Sequence, residues 1–324
     1  MKGLLKTAKY ELNKILRRDK PLILCYHSIF RNDMPFPVWT HMNCSQFEQH
    51  LRFLSGNFRC ISLPRLYEQL EQGEFEPYSI VITFDDGYRN NFTDAFPLLI
   101  KYNVPATIFI TTNLTGTNKF IWSDAVAAIL SVTESDQFVF DNIVLQLCTE
   151  NEKEVAYRKI VDFLKGLDPM MITGYIGNLM KLLGVSEQDL EKPELQSFFG
   201  HLSWGQIHTM VGSGLVDIGS HGLSHSILAQ LPEAKAREEI KISKSVLEEG
   251  LAGCGYPVKF FAYPNGGTTD FTEAHHAPLM ESCYHGALTT IPGRVNKFVN
   301  RYELPRVCIG NEFDLASLRY IVTH

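Results

Sequence analysis

Long uncharged apolar runs are missing from this 324-residue sequence. A helix that crosses a bilayer needs about 20 consecutive, mostly apolar residues, so none is predicted. The first 20 residues also lack the apolar core of a secretory signal, because Lys6, Lys9, Glu11 and Lys14 interrupt it. We therefore expect a protein that is not exported through a cleaved signal.

Cysteine is scarce and follows no pattern. The seven cysteines are odd in number, scattered along the chain and without a CxxC pair. A disulfide framework is therefore not expected. Together with the missing signal, this predicts reduced thiols and a cytoplasmic location.

An excess of positive charge is missing as well. The net charge is −6 and the pI is near 6.0, so nothing indicates a nucleic-acid partner. The exception is the segment 1–20, which contains seven Lys and Arg residues and only two acidic residues. Apolar residues at helical spacing over 4–16 predict a basic amphipathic helix. Two roles remain open: peripheral contact with the inner membrane face, or packing on the domain or a partner subunit.

What the sequence does contain is a repeated alternation of short apolar runs with helical patterns. The predicted strands cover, in chain order, 22–29, 60–63, 79–84, 106–112, 215–221, 258–264 and 286–290. The predicted helices cover 45–54, 64–72, 91–102, 204–213, 232–250 and 270–282. Repeated β-α units imply parallel strands joined by helical crossovers, and therefore an α/β fold.

This alternation of strand and helix patterns is interrupted between about 123 and 200. The interruption is longer than an ordinary loop and mostly helical in pattern, with a hairpin or a helix near Asp141 and Asn142. We expect one barrel-like domain over 21–324 with this insertion. Trp122, at the entry of the insertion, is either a platform for substrate binding on which a sugar stacks, or a buried hinge residue.

Two carboxylates close one of the predicted strands. The motif TFDDG (83–87) ends the strand 79–84, where α/β folds place their active sites. Adjacent carboxylates are costly unless a cation or a proton separates their charges. Asp85 and Asp86 could divide the work, one binding a metal while its neighbour acts as a base. A simple turn through Asp86 and Gly87 is the alternative.

Two histidines follow a second strand. In SHGLSH (220–225), His221 and His225 are four residues apart, so one helical turn would bring both imidazoles to one face. Unrelated surface histidines are the alternative. Two histidines and one aspartate would give three metal ligands and leave open positions for water, as catalytic metal sites require.

Three further features stand at strand ends. The glycines of FAYPNGG (261–267) leave backbone N–H groups free to face an oxyanion, although a tight turn explains them as well. His27 closes the first strand, where a lone histidine is usually structural. Arg306 lies in the apolar segment LPRV (304–307), and a buried arginine needs an anionic partner.

The order of these motifs, each closing a strand, resembles the polysaccharide deacetylase family with the NodB-homology domain. The resemblance covers residues 21 to about 310 apart from the insertion, and it includes the stretches 88–109 and 202–221. It implies a deformed, incomplete (β/α)7-type barrel that binds a divalent metal, with Zn²⁺ expected. The implied site comprises the metal ligands Asp86, His221 and His225, the catalytic base Asp85, and the substrate-binding residues Tyr263, Pro264 and Asn265, whose backbone N–H faces the oxyanion.

The chain departs from the common family pattern in three places. Ala262 replaces an arginine that orients the catalytic aspartate, and the C-terminal catalytic histidine is missing. Here the chain resembles a rearranged branch related to poly-N-acetylglucosamine deacetylases. That resemblance implies that His27 is the general acid and that Arg306 orients Asp85. A smaller departure is Gly222, where the family usually has Ser or Thr.

The resemblance implies hydrolysis of N-acetyl groups on an amino sugar in a glycan or a glycan precursor, with release of acetate. An O-acetyl carbohydrate esterase would use the same machinery on a different substrate. A carbohydrate-binding protein with a relic site is the alternative from another class.

The basic N-terminal segment gives the first testable prediction. Full-length protein should co-sediment with anionic liposomes, because the apolar stripe inserts while the lysines and arginines meet the lipid charge. Protein that lacks residues 1–20 should stay in the supernatant. Equal sedimentation of both proteins would contradict the membrane role.

Overall fold

The computed structural model describes residues 18–323. Residues 1–17, where the amphipathic helix is predicted, and residue 324 lie outside the described residues. None of the helices between residues 18 and 323 is both long and apolar enough to cross a bilayer.

Within this range, short strands alternate with helices. The strands are β1 (Leu22–Tyr26), β2 (Ser28–Phe30), β3 (His41–Asn43), β4 (Arg59–Cys60), β5 (Ser79–Phe84), β6 (Ala106–Ile110), β7 (Gln137–Phe140), β8 (Ile143–Gln146), β9 (Val216–Ser220), β10 (Phe260–Ala262), β11 (Gly286–Leu288) and β12 (Val307–Cys308). The α-helices are α1 (Cys44–Asn57), α2 (Leu63–Gln72), α3 (Phe96–Tyr102), α4 (Trp122–Val132), α5 (Glu150–Lys165), α6 (Pro169–Leu182), α7 (Glu187–Leu190), α8 (Pro193–Phe199), α9 (Trp204–Gly212), α10 (Glu233–Gly250), α11 (His276–Glu281) and α12 (Leu315–Thr323).

Eight strands form one parallel sheet that curls into a barrel. Their order is β11-β10-β9-β6-β5-β1-β12, with β4 paired to β5. The ends of the sheet meet, because Leu304, just before β12, pairs with Leu288 of β11. Val307 of β12 in turn pairs with Leu24 of β1. The predicted deformed (β/α)7-type barrel is confirmed.

Side-chain alternation along β5 sets the position of the chemistry. Residues two apart on a strand share a face, so Val81, Thr83 and Asp85 project to the same side. That side is the barrel interior, where Val81 packs in one cluster with Phe109. The even-numbered residues of β5 belong to the larger cluster beneath the helices. Asp85 therefore sits at the carboxyl-terminal mouth of the barrel, above an apolar floor.

Residues 122–199 form helices α4 to α8 and the β7–β8 hairpin, around a second hydrophobic cluster that also includes Phe36 and Val38. The hairpin turns at Asp141 and Asn142, whose φ angles are 47° and 60°. Such left-handed pairs match the twist of two-residue hairpins, so the hairpin alternative is confirmed. Tyr88 donates a hydrogen bond of 2.6 Å to Asp124 and so ties α4 to the loop that follows β5.

Several predicted elements are shorter than the sequence patterns indicate. The strand predicted over 22–29 ends at Tyr26, and the one predicted over 258–264 is only Phe260–Ala262. The helix predicted over 270–282 begins at His276, after a 3₁₀ turn. The chain leaves strand geometry early at the barrel mouth, as the φ angle of 57° at Asn265 shows. These early exits create the loops that carry the site.

Candidate metal centre

Asp86 begins the candidate metal centre with an uncommon backbone conformation. Its φ angle is 74°, in the left-handed region that aspartate tolerates better than most residues. The turn separates it from Asp85, and the Asp86 carboxylate meets two imidazoles. Its Oδ1 atom lies 3.3 Å from Nε2 of His221 and 3.2 Å from Nε2 of His225. All three side chains are buried.

The His221 ring is held in the orientation that a metal ligand needs. Its Nδ1 lies 2.8 Å from the carbonyl oxygen of Ala262. A carbonyl only accepts hydrogen bonds, so Nδ1 carries the proton and Nε2 presents a lone pair toward Asp86. Partners of this kind fix the tautomer of histidines that bind metals.

His225 reaches the site through a loop and not through a helical turn, so the predicted helical spacing is wrong. The φ angles are 79° at Gly222 and 62° at His225, which no α-helix contains. The Glu239 carboxylate of α10 accepts hydrogen bonds from the backbone N–H groups of Leu223 and Ser224, at 2.8 and 3.0 Å. This anchor folds the loop back, and the glycine at 222 supplies the left-handed conformation where the chain turns.

The three side chains fit a divalent cation. Ligand atoms about 2.0–2.2 Å from a tetrahedral Zn²⁺ are separated from one another by roughly 3.3–3.5 Å, which agrees with the separations measured from Asp86. The Oδ1 atom of Asp86 is buried, and no group among residues 18–323 donates a hydrogen bond to it. A cation between Asp86, His221 and His225 would satisfy this atom and leave coordination positions open for water or substrate.

Asp85 is held apart from this centre by a buried arginine. Arg306 Nη1 and Nη2 each lie 2.7 Å from one Asp85 oxygen, so both oxygens accept a hydrogen bond in a bidentate pair. Burial alone would raise the pKa of Asp85, but the Arg306 charge and hydrogen bonds outweigh it and lower that pKa to about 2. Asp85 is therefore ionised throughout the neutral range.

Arg306 is itself fixed on every side. It is fully buried, its Nε donates to the Thr289 carbonyl at 2.8 Å, and its Nη1 lies 3.2 Å from the Thr83 hydroxyl. The guanidinium carbon lies 5.5 Å from the centre of the Phe109 ring. The arginine thus lies over the apolar floor of the barrel with its charge aimed at Asp85.

His27 lies at the same mouth, between β1 and β2. One of its ring nitrogens, the Cys25 sulfur and an Asp85 oxygen all lie within 4.8 Å of one another. This second group is a poorer cation site, because both Asp85 oxygens already bind a guanidinium whose positive charge opposes a metal. Burial lowers the pKa of His27, and the negative charges of Asp86 and Asp85 oppose that shift.

The motif FAYPNGG (261–267) contributes its backbone to the site more than its side chains. Tyr263 is fully buried, stacks on Phe271 at 4.2 Å and donates to the Tyr302 carbonyl. The prediction of Tyr263 as a substrate-binding residue is therefore wrong for its side chain: strand alternation turns that side chain toward the helices, as the inward position falls on Ala262. Pro264 is buried as well and packs against Gly222 of the histidine loop.

Asn265 presents a backbone donor at the barrel mouth. Within the described part of the chain its N–H has no acceptor, and its side-chain Nδ2 is also unpaired. The Thr290 hydroxyl donates to the Asn265 carbonyl at 2.6 Å, so the peptide is held in place. This arrangement leaves the N–H free to bind an oxyanion.

Trp122 lies at the first turn of α4 and is half-buried. It borders a cavity of about 870 Å³ that His225 also lines. The indole is therefore a wall of an open space next to the candidate metal centre.

The sequence patterns did not single out Glu239, Thr83 or Asp124. Glu239 acts from the middle of α10, on the buried face that it shares with Ala236 and Ile240. Thr83 could have been found from its place two residues before Asp85 on the same strand face. Asp124 carried no local signal, and burial raises its pKa to about 8 although the Tyr88 hydrogen bond opposes the shift.

Comparisons with known proteins find sequence relatives of this chain. A family model described as polysaccharide deacetylase matches residues 72–279. The poly-beta-1,6-N-acetyl-D-glucosamine N-deacetylase of Staphylococcus epidermidis is 33% identical over 124 residues, 34% of this chain and 43% of that protein. The Staphylococcus aureus (strain MSSA476) protein of the same name is 35% identical over 77 residues, 24% of this chain and 27% of that protein. The chain thus spans less than half the length of these relatives.

Solved structures share the fold. The Streptococcus pyogenes deacetylase PplD, in complex with acetate, gives a TM-score of 0.61 at 18% identity, over 94% of this chain and 99% of that chain. IcaB from Ammonifex degensii gives 0.60 at 18% identity, over 94% of this chain and 98% of that chain. At these identities, the similarity concerns the barrel architecture.

The three converging ligands predict one bound divalent metal per chain. Elemental analysis after dialysis against Zn²⁺ should find one equivalent, and His221→Ala should lose it because two ligands hold Zn²⁺ poorly. His208→Ala, which removes an exposed histidine outside the centre, should keep the metal. Full metal content in His221→Ala would refute the ligand set.

The buried ion pair predicts a large loss of stability when it is broken. Arg306→Gln leaves the Asp85 carboxylate buried without a counter-charge, which should lower the free energy of unfolding by about 3–5 kcal/mol. The matched control is Arg31→Gln, whose partner Asp94 lies 2.6 Å away on the surface. It should cost about 1 kcal/mol or less. Urea unfolding measures the loss of stability in each variant. Equal losses in both variants would contradict the role of Arg306.

Proposed function

The chain belongs to the polysaccharide deacetylase family, and from this premise we propose that it is a metal-dependent hydrolase that removes N-acetyl groups from an amino sugar in a glycan or glycan precursor. The observation that carries the proposal is the pairing of two differently used carboxylates. Asp86 faces two histidines as a ligand would, while Asp85, its neighbour in sequence, is paired with Arg306. This division of roles suits hydrolysis by an activated water.

Asp86, His221 and His225 would hold the metal. When bound, a divalent cation makes water more acidic and stabilises negative charge on an acyl oxygen. His221 is kept in the required tautomer by the Ala262 carbonyl, and the histidine loop is kept in place by Glu239. The protein thus supplies a fixed set of ligands on a rigid barrel mouth.

Asp85 serves as the general base. It is ionised, its carboxylate is oriented by the two Arg306 hydrogen bonds, and it lies beside the Asp86 centre. It accepts the proton from the water that attacks the acetyl carbon. A base needs correct orientation first, and the bidentate arginine fixes the plane of its carboxylate.

The Asn265 N–H donates to the oxygen that gains charge as water adds to the acetyl carbonyl. A backbone donor held before the reaction begins needs no reorganisation when that charge develops. The Thr290 hydrogen bond to the Asn265 carbonyl provides this preorganisation.

His27 is the general acid. An amide nitrogen leaves poorly as an anion, so a proton must reach it as the C–N bond breaks. His221 and His225 cannot supply it while their nitrogens are coordinated. His27 lies within 4.8 Å of the Asp85 carboxylate, on the same side of the barrel mouth. Its protonated ring would donate to the departing amine of the sugar.

Two observations support the substrate class: the placement of the proton donor and the activity in the names of the relatives. Both staphylococcal relatives are poly-β-1,6-N-acetyl-D-glucosamine N-deacetylases. The placement of His27 favours an amide over an ester, because an alkoxide leaving group depends less on a proton donor. Removal of O-acetyl groups is the competing activity.

Paired quantification of products tests the function. Metal-loaded protein should release acetate and primary amine from N-acetylglucosamine oligosaccharides in equal amounts, and chelator-treated protein should release neither. Acetate released only from O-acetylated sugars would identify an esterase. No product from either substrate class would contradict the proposal.

The role of His27 predicts selective damage when it is replaced. His27→Ala should lower kcat for amide hydrolysis by roughly a hundredfold or more, while metal content stays intact. An activated acetyl ester should be affected much less, because its leaving group needs little protonation. Asp85→Asn is the comparison, since loss of the base should impair both substrates. Near-normal amide hydrolysis by His27→Ala would show that another residue is the acid.

A further inference from the structure

A cavity of about 870 Å³ lies directly beside the candidate metal centre, between the insertion and the loop that carries His225. Pockets of this size bind small molecules of roughly drug size. His225 and its neighbours Ser224 and Ser226 form the end nearest the metal site. The far wall is formed by Phe120 and by residues of the insertion, which are Trp122, Ile172, Ile176, Met180 and Leu190.

The cavity is built into the fold. At one side the Tyr88–Asp124 hydrogen bond fixes α4, whose first residue Trp122 is part of the wall. At the other side Gln230 donates a hydrogen bond of 2.9 Å to the Lys165 carbonyl and joins the histidine loop to the end of α5. The insertion is therefore held against the barrel mouth around an open space.

The chemistry of the far wall favours an apolar group over a further sugar unit. Aliphatic side chains such as Ile176 and Met180 offer no hydrogen bonds, so sugar hydroxyls buried against them would remain unpaired. The charged lining residues are Lys119 and Lys165 with Glu187 and Glu191, and their formal charges cancel. Thr117, Asn118 and Thr173 also line the cavity, but the apolar side chains of the far wall suit an apolar group better than a polar glycan chain.

We propose that this cavity binds the apolar aglycone of an amphiphilic glycoside, so that the substrate is a lipid-linked N-acetylated sugar. The inference rests on the proposed function, because it places the acetamide at the metal site and the tail in the adjoining space. His225, shared by the centre and the cavity, sets the distance between the two halves of the substrate.

The surface next to the cavity suits the arrival of such a substrate. Pro169 lines the cavity, and the two residues that follow it at the start of α6 are unusually exposed methionines. Met170 is 87% exposed and Met171 55% exposed. Flexible apolar side chains at a cavity edge make favourable contact with a lipid tail of variable shape.

Chain-length dependence on synthetic glycosides tests the proposal. The probes are methyl and heptyl N-acetyl-β-D-glucosaminide, both used below the concentration at which micelles form. Burial of the added methylenes should raise kcat/KM of metal-loaded protein at least about tenfold for the heptyl compound. Equal values for the two compounds would overturn the inference while leaving the proposed deacetylase activity in place.

Two near-isosteric variants on one helix locate the effect. Met180→Gln makes the cavity wall polar with little change in volume, and should lower the heptyl-to-methyl ratio of kcat/KM about fivefold or more. Leu182→Gln changes a side chain on α6 that is 57% exposed and does not line the cavity. That control should keep the ratio of the unmodified protein. Equal ratios in both variants would place the tail elsewhere and refute the assignment.

Binding without turnover separates this inference from the proposed function. Heptyl glycoside titrated into chelator-treated protein should change the tryptophan fluorescence, and Trp122→Phe should abolish the change although two other tryptophans remain. Saturable binding to chelator-treated protein, with no acetate released by metal-loaded protein, would support the cavity and contradict the deacetylase. Acetate release from both glycosides, without a Trp122 signal and without a preference for the longer chain, would support the deacetylase. It would contradict binding of the tail in the cavity.

Discussion

The bidentate pair between Asp85 and Arg306 is the interaction on which the site depends. It is buried at the centre of a parallel barrel, where an unpaired carboxylate or guanidinium would be strongly destabilising. Because both Asp85 oxygens bind the guanidinium, Asp85 stays ionised and is withheld from the cation that its neighbour is placed to bind. Two adjacent aspartates can therefore carry different roles only because one of them has a fixed counter-charge.

The barrel topology explains how distant residues meet. Parallel strands direct their carboxyl ends to one mouth, so β1, β5, β9 and β10 each deliver one part of the site. Arg306 is different, because it precedes β12 and reaches the mouth from inside the barrel, over Phe109. The chain thus places a positive charge beneath Asp85 although β10 carries only Ala262 at its inward position.

The sequence patterns predict those features of the site that the local sequence determines. Strand-ending motifs predict which residues gather at the mouth, and a buried arginine predicts an anionic partner. They fail where tertiary packing decides. The route of His225 depends on Glu239, which lies 14 residues further along the chain, and on left-handed residues that the HxxxH spacing alone does not reveal. The burial of Tyr263 is likewise decided by packing, because its ring stacks on Phe271 and its hydroxyl donates to the Tyr302 carbonyl.

The most direct test of the account is X-ray absorption on protein loaded with one equivalent of Zn²⁺. The account predicts a first shell of nitrogen and oxygen at about 2.0–2.2 Å, from two imidazoles, one carboxylate and solvent, without sulfur. The rival cluster contains Cys25, His27 and Asp85, so occupancy there would add sulfur scattering at about 2.3 Å. A sulfur shell would mean that the metal is coordinated by the proposed base, Asp85, and the proposed acid, His27. It would contradict the division of roles between Asp85 and Asp86.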